Sequence, residues 1–250
     1  DGNPEAAFKK ASKIIERTYS APFIAHNTLE PMNFFANVTA DSAELIGPTQ
    51  TPEALEGSVA KLLNLPLENV TVNMTRIGGG FGRRLYVHFG VEAAAISKKI
   101  GAPVKLIYSR EDDMTQGTYR PTYRSVYKAG LDENNNLIAF TVKGAGLPNR
   151  FPAGAVENYS AEKIKAPTNV TTGAWRAPRS NFTAGAEQAF LDEVAEAAGK
   201  DPIDFRLELF DRAMKDPVGE KHEYEAERYA GVLKLVKEKA NWGTTKPNVH

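Results

Sequence analysis

The stretch Ser125-Val-Tyr-Lys-Ala-Gly-Leu131-Asp132-Glu-Asn-Asn-Asn136-Leu137-Ile-Ala-Phe-Thr-Val-Lys143 decides how the fold is read. Its two flanks, 125–131 and 137–143, have the composition of strands, and the Asp and Asn residues between them suit a turn. That is a β-hairpin, an antiparallel pair, set in a chain whose other segments alternate strand and helix. On its N-terminal side a short helix fits 4–11, with Pro4 in the first turn, where a missing N–H costs little. Strands are expected at 14–19, 34–39, 44–47 and 70–75. Residues 51–64 form an amphipathic helix with Pro52 at its start and Ala54, Leu55, Val59, Leu62 and Leu63 on one broad face. A glycine run at 78–82 leads into a helix over 87–100 that Gly101 ends, and 103–109 reads as a strand. On the C-terminal side, 147–165 reads as a long loop with some helix and 170–175 as a strand. A helix over 183–198 is capped by Gly199, and Asp201-Pro202 opens another through 210. Residues 211–226 are charged and turn-rich, and 229–240 form the last helix. The central hairpin breaks a pure βαβ succession. The expected class is therefore α+β, mixed sheets with packed helices, rather than a doubly wound parallel sheet. One domain is expected over 1–250.

Composition narrows the function classes. Apolar residues make up 42% of the 250, enough for a sizeable core. The 31 basic residues balance 31 acidic ones, so no basic shell is available to grip nucleic acid through bulk charge. No apolar run approaches the ~20 residues that cross a bilayer. The absence of cysteine excludes disulfides, a thiol nucleophile, thiolate zinc sites and cysteine-held iron–sulfur clusters within this chain. The four histidines are scattered, with no His-x-x-x-His pair for a helical zinc site. His26 and Glu30 are four apart, but Pro31 follows at once and one pair is too few ligands; Glu30 is read as structural. The chain opens at Asp1 without a leader and stops at a polar His250, which is the expected look of a piece cut from something longer.

The most informative local feature is Ile77-Gly78-Gly79-Gly80-Phe81-Gly82-Arg83-Arg84, between a strand and a helix. Glycines lack Cβ, so the main chain there can take positive φ and approach a bound group closely. Exposed N–H groups next to a helix suit an anionic or metal-oxo ligand, and Arg83 and Arg84 add positive charge. A tight turn with one aromatic plug accounts for the run equally well on spacing alone. The run is neither Gly-x-Gly-x-x-Gly nor a P-loop, since no Gly-Lys-Ser/Thr follows.

Several further segments occur around it in a fixed order. They are Ala25-His26-Asn27-Thr28-Leu29-Glu30-Pro31, Pro48-Thr49-Gln50, Arg110-Glu111-Asp112-Asp113-Met114, Trp175-Arg176-Ala177-Pro178, Ala189-Phe190-Leu191-Asp192-Glu193 and Asp201-Pro202-Ile203-Asp204-Phe205-Arg206. Together with the glycine loop they resemble the molybdenum hydroxylases, the xanthine dehydrogenase/aldehyde oxidase family. The Trp-Arg-Ala-Pro form and the Gly-Phe-Gly-Arg-Arg variant look most like the isoquinoline 1-oxidoreductase beta-subunit branch, which includes membrane-associated aldehyde dehydrogenase large subunits.

The resemblance implies the first molybdopterin-binding domain of a large subunit. It implies molybdenum held by a pterin dithiolene, the pterin commonly in its cytosine dinucleotide form. Gln50 would then hydrogen-bond an oxo or sulfido ligand, and Gly79, Gly80, Phe81, Gly82 and Arg83 would bring main chain and charge to the centre. Arg176 would meet phosphate or pterin oxygens. Two departures bear on substrate and catalysis. Purine-oxidising members carry a Glu four residues after the loop Phe, where this chain has Leu85, so an aldehyde or N-heterocycle is the expected substrate. The family's catalytic Glu lies in a Gly-x-Gly-Glu segment; here Val218-Gly219-Glu220 lacks the first glycine, and the base is expected beyond His250. No catalytic residue and no protein metal ligand is therefore assigned within the chain. The implied partners are the rest of the large subunit and a small subunit with 2Fe-2S clusters. The isolated piece is expected to be inactive and empty of cofactor, and a periplasmic or membrane-associated setting is implied by the family alone. The rival readings are a non-catalytic phosphate- or nucleotide-binding module built on the glycine loop and, behind it, a hydrolase using Asp112 and Asp113, whose adjacency points them apart.

Overall fold

The computed structural model describes residues 1–145, 151–178, 180–181, 183–219 and 224–243. In chain order the elements are α1 (Pro4–Lys10), β1 (Lys13–Ala21), β2 (Asn33–Val38), β3 (Ala43–Gly47), α2 (Pro52–Leu63), β4 (Val70–Met74), α3 (His88–Ile100), β5 (Val104–Ile107), α4 (Arg110–Thr115), β6 (Tyr123–Leu131), β7 (Leu137–Ala145), β8 (Asn158–Ile164), α5 (Thr183–Ala197), α6 (Pro202–Lys215) and α7 (Ala226–Lys239). Both sheets are mixed, and helices pack on each: an α+β fold, as expected. Where one domain is expected, the chain divides into two compact units. One takes residues 1–21, 122–166 and 179–250, the other 22–121 and 167–178.

The first unit is built on the hairpin. Its sheet runs β1-β6-β7-β8, antiparallel except for the parallel β7/β8 pair. The Asp132 carboxylate closes the turn by accepting from the Asn134 and Asn136 N–H groups at 2.9 and 2.8 Å, and Asn135 takes φ +60°. Tyr127, Phe140 and Phe190 bring strands and α5 together in an aromatic core, with Tyr127 and Phe190 centroids 5.4 Å apart.

The second unit carries the glycine loop. Its sheet runs β4-β3-β2-β5, with β3/β4 parallel and the other pairs antiparallel. Phe34 and Leu45 point from this sheet onto Leu55 and Val59 of α2 and Phe89 and Ala93 of α3, all buried. Leu55, Val59 and Leu63 are buried one above another, while Ala54 and Leu62 stay exposed, so the buried face of α2 is narrower than its apolar composition suggests. Gly90 lets α3 lie against Leu55; a Cβ there would fall 2.8 Å from a Leu55 methyl.

Five segments differ from the sequence expectation. Part of the expected loop over 147–165 is strand β8; only Tyr159 of it is buried, so it lacks the alternation that marks a strand. Residues 146–150 lie outside the described set. Among the described residues the expected strand over 170–175 makes only the isolated Thr172–Tyr119 bridge: its main chain pairs with Tyr119 at Thr171 and Gly173, and beyond that the Tyr86 and His26 side chains take up Ala174. Helix α6 continues to Lys215 through the charged segment, aided by a Lys215–Asp211 pair. Helix α7 begins at Ala226, and α4 forms where no helix is expected, set by a capping box between Ser109 and Asp112. Of the charge run over 220–227, Glu225 and Glu227 are exposed and 220–223 lie outside the described residues, as does Arg179.

Candidate functional site at the glycine loop

All of the site lies in the second unit. Beyond β4 the chain turns back at Thr75, whose N–H donates to the Gly47 carbonyl, and enters the loop. Glu30 meets Gly78 twice: the Gly78 N–H donates to its Oε2 at 2.9 Å, and its own N–H donates to the Gly78 carbonyl at 3.1 Å. Arg84 closes this clasp from behind. Its side chain is fully buried, its Nε donates to the Gly79 carbonyl at 2.8 Å, and one Nη donates to both the main-chain and carboxylate oxygens of Glu30 at 2.9 Å. Glu30 is thus a structural post, as expected, its carboxylate bonded to Gly78 and Arg84.

Gln50 is read by its partners. Its Oε1 accepts from the Gly82 and Arg84 main-chain N–H groups at 3.1 and 3.3 Å. That fixes which end of the amide is oxygen and leaves the exposed Nε2, a donor of two hydrogens, without a partner among the described residues. Gly80 makes room for this arrangement, since a Cβ there would lie 2.6 Å from Oε1. Gly79, Gly80 and Phe81 likewise keep main-chain N–H groups without internal partners among the described residues. Phe81 is a non-glycine residue at φ +54°, with its ring 44% exposed.

The segment 173–176 closes the far side. A Cβ on Gly82, at φ +101°, would fall 2.3 Å from the Ala174 carbonyl oxygen, so only glycine admits this approach. The exposed Arg176 places its guanidinium carbon 5.7 Å from the centre of the Phe81 ring. The loop, Gln50 and Arg176 therefore do converge.

Arg83 is placed differently from the sequence expectation. Its positive charge is not at the loop surface: the residue is 1% exposed and its Nε donates to Asp113 at 3.2 Å. Its Nη1–H points at His88 Nε2, 3.2 Å away, which makes that nitrogen an acceptor and the imidazole neutral. Arg110 donates to the other Asp113 oxygen, while Asp112 caps α4. The two adjacent carboxylates thus face different partners, which removes the hydrolase reading.

Burial, and then the Arg83 charge, hold His88 below the ordinary histidine value. Burial does the same for His26, against the opposing pull of the Ala174 carbonyl. Between those depressed values and about 6.5 the unfolded chain binds protons that the folded chain refuses, so stability rises with pH across that window and is lost as pH falls through it. Melting temperature is expected to drop from pH 7 toward pH 5, and less steeply in a His26→Gln, His88→Gln chain. Equal slopes in the two chains would count against both assignments.

A family model described as a molybdopterin cofactor-binding domain matches residues 1–146. The chain belongs to this family. The membrane-bound aldehyde dehydrogenase (pyrroloquinoline-quinone) of Gluconacetobacter polyoxogenes is 29% identical, over 98% of the chain and 36% of the relative. Isoquinoline 1-oxidoreductase subunit beta of Brevundimonas diminuta is 27% identical over 96% of the chain and 31% of its own length. Among solved structures, quinoline 2-oxidoreductase from Pseudomonas putida 86 superposes with a TM-score of 0.76 at 20% identity, over 96% of the chain and 34% of that structure, a likeness of fold. The chain spans about a third of the length of these relatives.

The molybdopterin-binding family suits the geometry. The 79–81 N–H groups, without internal partners among the described residues, the Gln50 amide and the Arg176 guanidinium are all hydrogen-bond donors, and glycines at 80 and 82 admit the close approach of Gln50 and of the Ala174 carbonyl. Reasoning from sequence gave Tyr86 and His88 no role, and it named Asp113 and Trp175 without assigning them the support of the loop and the Arg176 segment. The motifs containing Asp113 and Trp175 marked those two positions; Tyr86 and His88 carried no signal of their own.

Proposed function

We propose that this chain forms one wall of the molybdenum–pterin site of an oxidoreductase that hydroxylates an aldehyde or an N-heterocycle, with water as the oxygen source. The observation that carries the reading is that Gln50 and Arg176 both meet the glycine loop, Gln50 through its bonds to the Gly82 and Arg84 N–H groups and Arg176 over the Phe81 ring, where the 79–81 N–H groups lack internal partners among the described residues. The main-chain donors and Gln50 would hold oxo or sulfido ligands. Arg176 would hold phosphate or pterin oxygens, the pterin being the cytosine dinucleotide form. Gly79 and Gly82 give the loop its positive-φ turns, and Arg83 supports it from the interior rather than touching the cofactor. When bound, the molybdenum centre supplies the two-electron redox chemistry and delivers the oxygen. Exposed Phe81 within the loop, and Leu85 where purine-oxidising relatives are expected to carry Glu, favour an uncharged, apolar substrate. The names of the aldehyde- and isoquinoline-oxidising relatives agree with that class. The 2Fe-2S clusters would come from other parts of the assembly, since this chain has no cysteine, and so would the general base, since the chain has no Gly-x-Gly-Glu segment. The phosphate-module alternative is not favoured, because the family match accounts for the same loop.

Gln50→Glu tests the reading in the complete gene product. Both carboxylate oxygens accept, so the bonds to Gly82 and Arg84 survive, but the outward donor becomes a negative charge. Turnover is expected to fall about tenfold or more, the size of a lost ligand hydrogen bond of roughly 1.4 kcal/mol or above, with the melting temperature unchanged. Unchanged turnover would remove Gln50 from the site.

A further inference from the structure

His26 is buried at 6% exposure and has no part in the donor set. Its Nε2 lies 2.7 Å from the Ala174 carbonyl oxygen, so that nitrogen carries a proton and donates it. The ring stacks on Trp175 with centroids 4.8 Å apart and planes 29° from parallel. Tyr86 grips the same residues from the other direction, its hydroxyl oxygen accepting from the Ala174 N–H at 2.7 Å. Gly173 sits so close to that ring that a Cβ would fall 2.5 Å from the hydroxyl. The Ala174 carbonyl held by His26 is the one against which Gly82 is pressed, and the next residue but one is Arg176. One imidazole therefore fixes a main-chain carbonyl and an indole immediately ahead of the guanidinium that stands over Phe81.

We propose that His26 is a positioning residue: its Nε2–H and ring face hold the 173–176 strap against the glycine loop and so set where Arg176 stands. The contacts are internal to the chain, so the inference deepens the cofactor reading without depending on it. Its test reads the strap itself, and a failure of the cofactor reading leaves the result intact.

The experiment uses the 250-residue chain with Trp242→Phe, which leaves Trp175 as its one indole. His26 is compared with His26→Gln, whose amide N–H reaches about as far as Nε2, and His26→Asn, which stops short. Hydrogen exchange followed by mass spectrometry is expected to quicken about tenfold across 173–176 in the Asn variant, the scale of one lost hydrogen bond, and to return most of the way in the Gln variant. Exchange in β2 and β3, in the same unit, serves as the fold control. Trp175 emission supplies the signature that a merely space-filling role would not give. An imidazolium stacked on an indole quenches it, so emission is expected to fall with a midpoint below about 6.5 in the His26 chain and to show no such step in either variant. Arg83 and Asp113 are the charged groups facing the ring, and they act in opposite directions on that midpoint. Equal strap exchange in all three chains, or a Trp175 step that survives loss of the imidazole, would overturn the proposal. If the Asn variant loses protection throughout, the Gln variant decides: strap exchange quickened to the level of that unfolded chain overturns it, and near-native exchange upholds it.

Discussion

Gly82→Ala is expected to destabilise the protein by about 3 kcal/mol, because it combines two faults at one atom. Gly82 has φ +101°, where an L side chain is strained. Its new Cβ would also sit 2.3 Å from the Ala174 oxygen, and that obstacle is main chain, so no rotamer change relieves it. Either the loop or the 173–176 strap must move, and with it the relation between Phe81 and Arg176. Gly57→Ala, in the middle of α2 with nothing within 4 Å of the added methyl, is the matched control; there the better helix former should add about 0.5–1 kcal/mol. Urea unfolding of both variants checks the pair. A Gly82→Ala chain as stable as the parent would mean that the close approach is not part of the folded state.

Asp113→Ala carries the second large effect, an expected loss of about 3–5 kcal/mol. Arg83 and Asp113 are both 2% exposed at the side chain, and Asp113 also receives Arg110. Removing the carboxylate leaves a guanidinium in the interior whose remaining side-chain hydrogen-bond partner among the described residues is a neutral imidazole. The cost is that of an uncompensated buried charge rather than of the ion pair itself. Arg83→Met in the Asp113→Leu background, which removes both charges, should therefore recover most of the loss, measured by the same unfolding curves. A double variant no more stable than Asp113→Ala would assign the effect to lost shape instead.

What could be read from sequence, and what could not, follows from where the partners lie. The hairpin was legible because its turn is local: Asp132 satisfies N–H groups two and four residues on. The start of α6 was legible for the same reason, through Asp201 capping the Ile203 and Asp204 N–H groups. The glycine loop showed itself by composition, and motif order brought Gln50 and Arg176 to it. The interior placement of Arg83 and Arg84 was hidden, because arginine is ordinarily a surface residue and what neutralises these two, Asp113 and Glu30, is distant in the chain. The expected strand over 170–175 makes a single bridge because its β-like composition says nothing about Tyr86 and His26, whose side chains take up Ala174 where a neighbouring strand would. The exposed edge strand β8, with one buried residue, left no periodic trace.

The central claim is that the face made by the 79–81 amides, Gln50 and Arg176 is a wall of the molybdenum site. Anomalous diffraction at the molybdenum edge, from crystals of the complete gene product prepared in a host that makes the cofactor, tests it most directly. The account predicts one strong peak beside the glycine loop, close to Phe81, Gln50 and Arg176. A peak elsewhere in a catalytically active crystal, with those donors facing solvent, would contradict it.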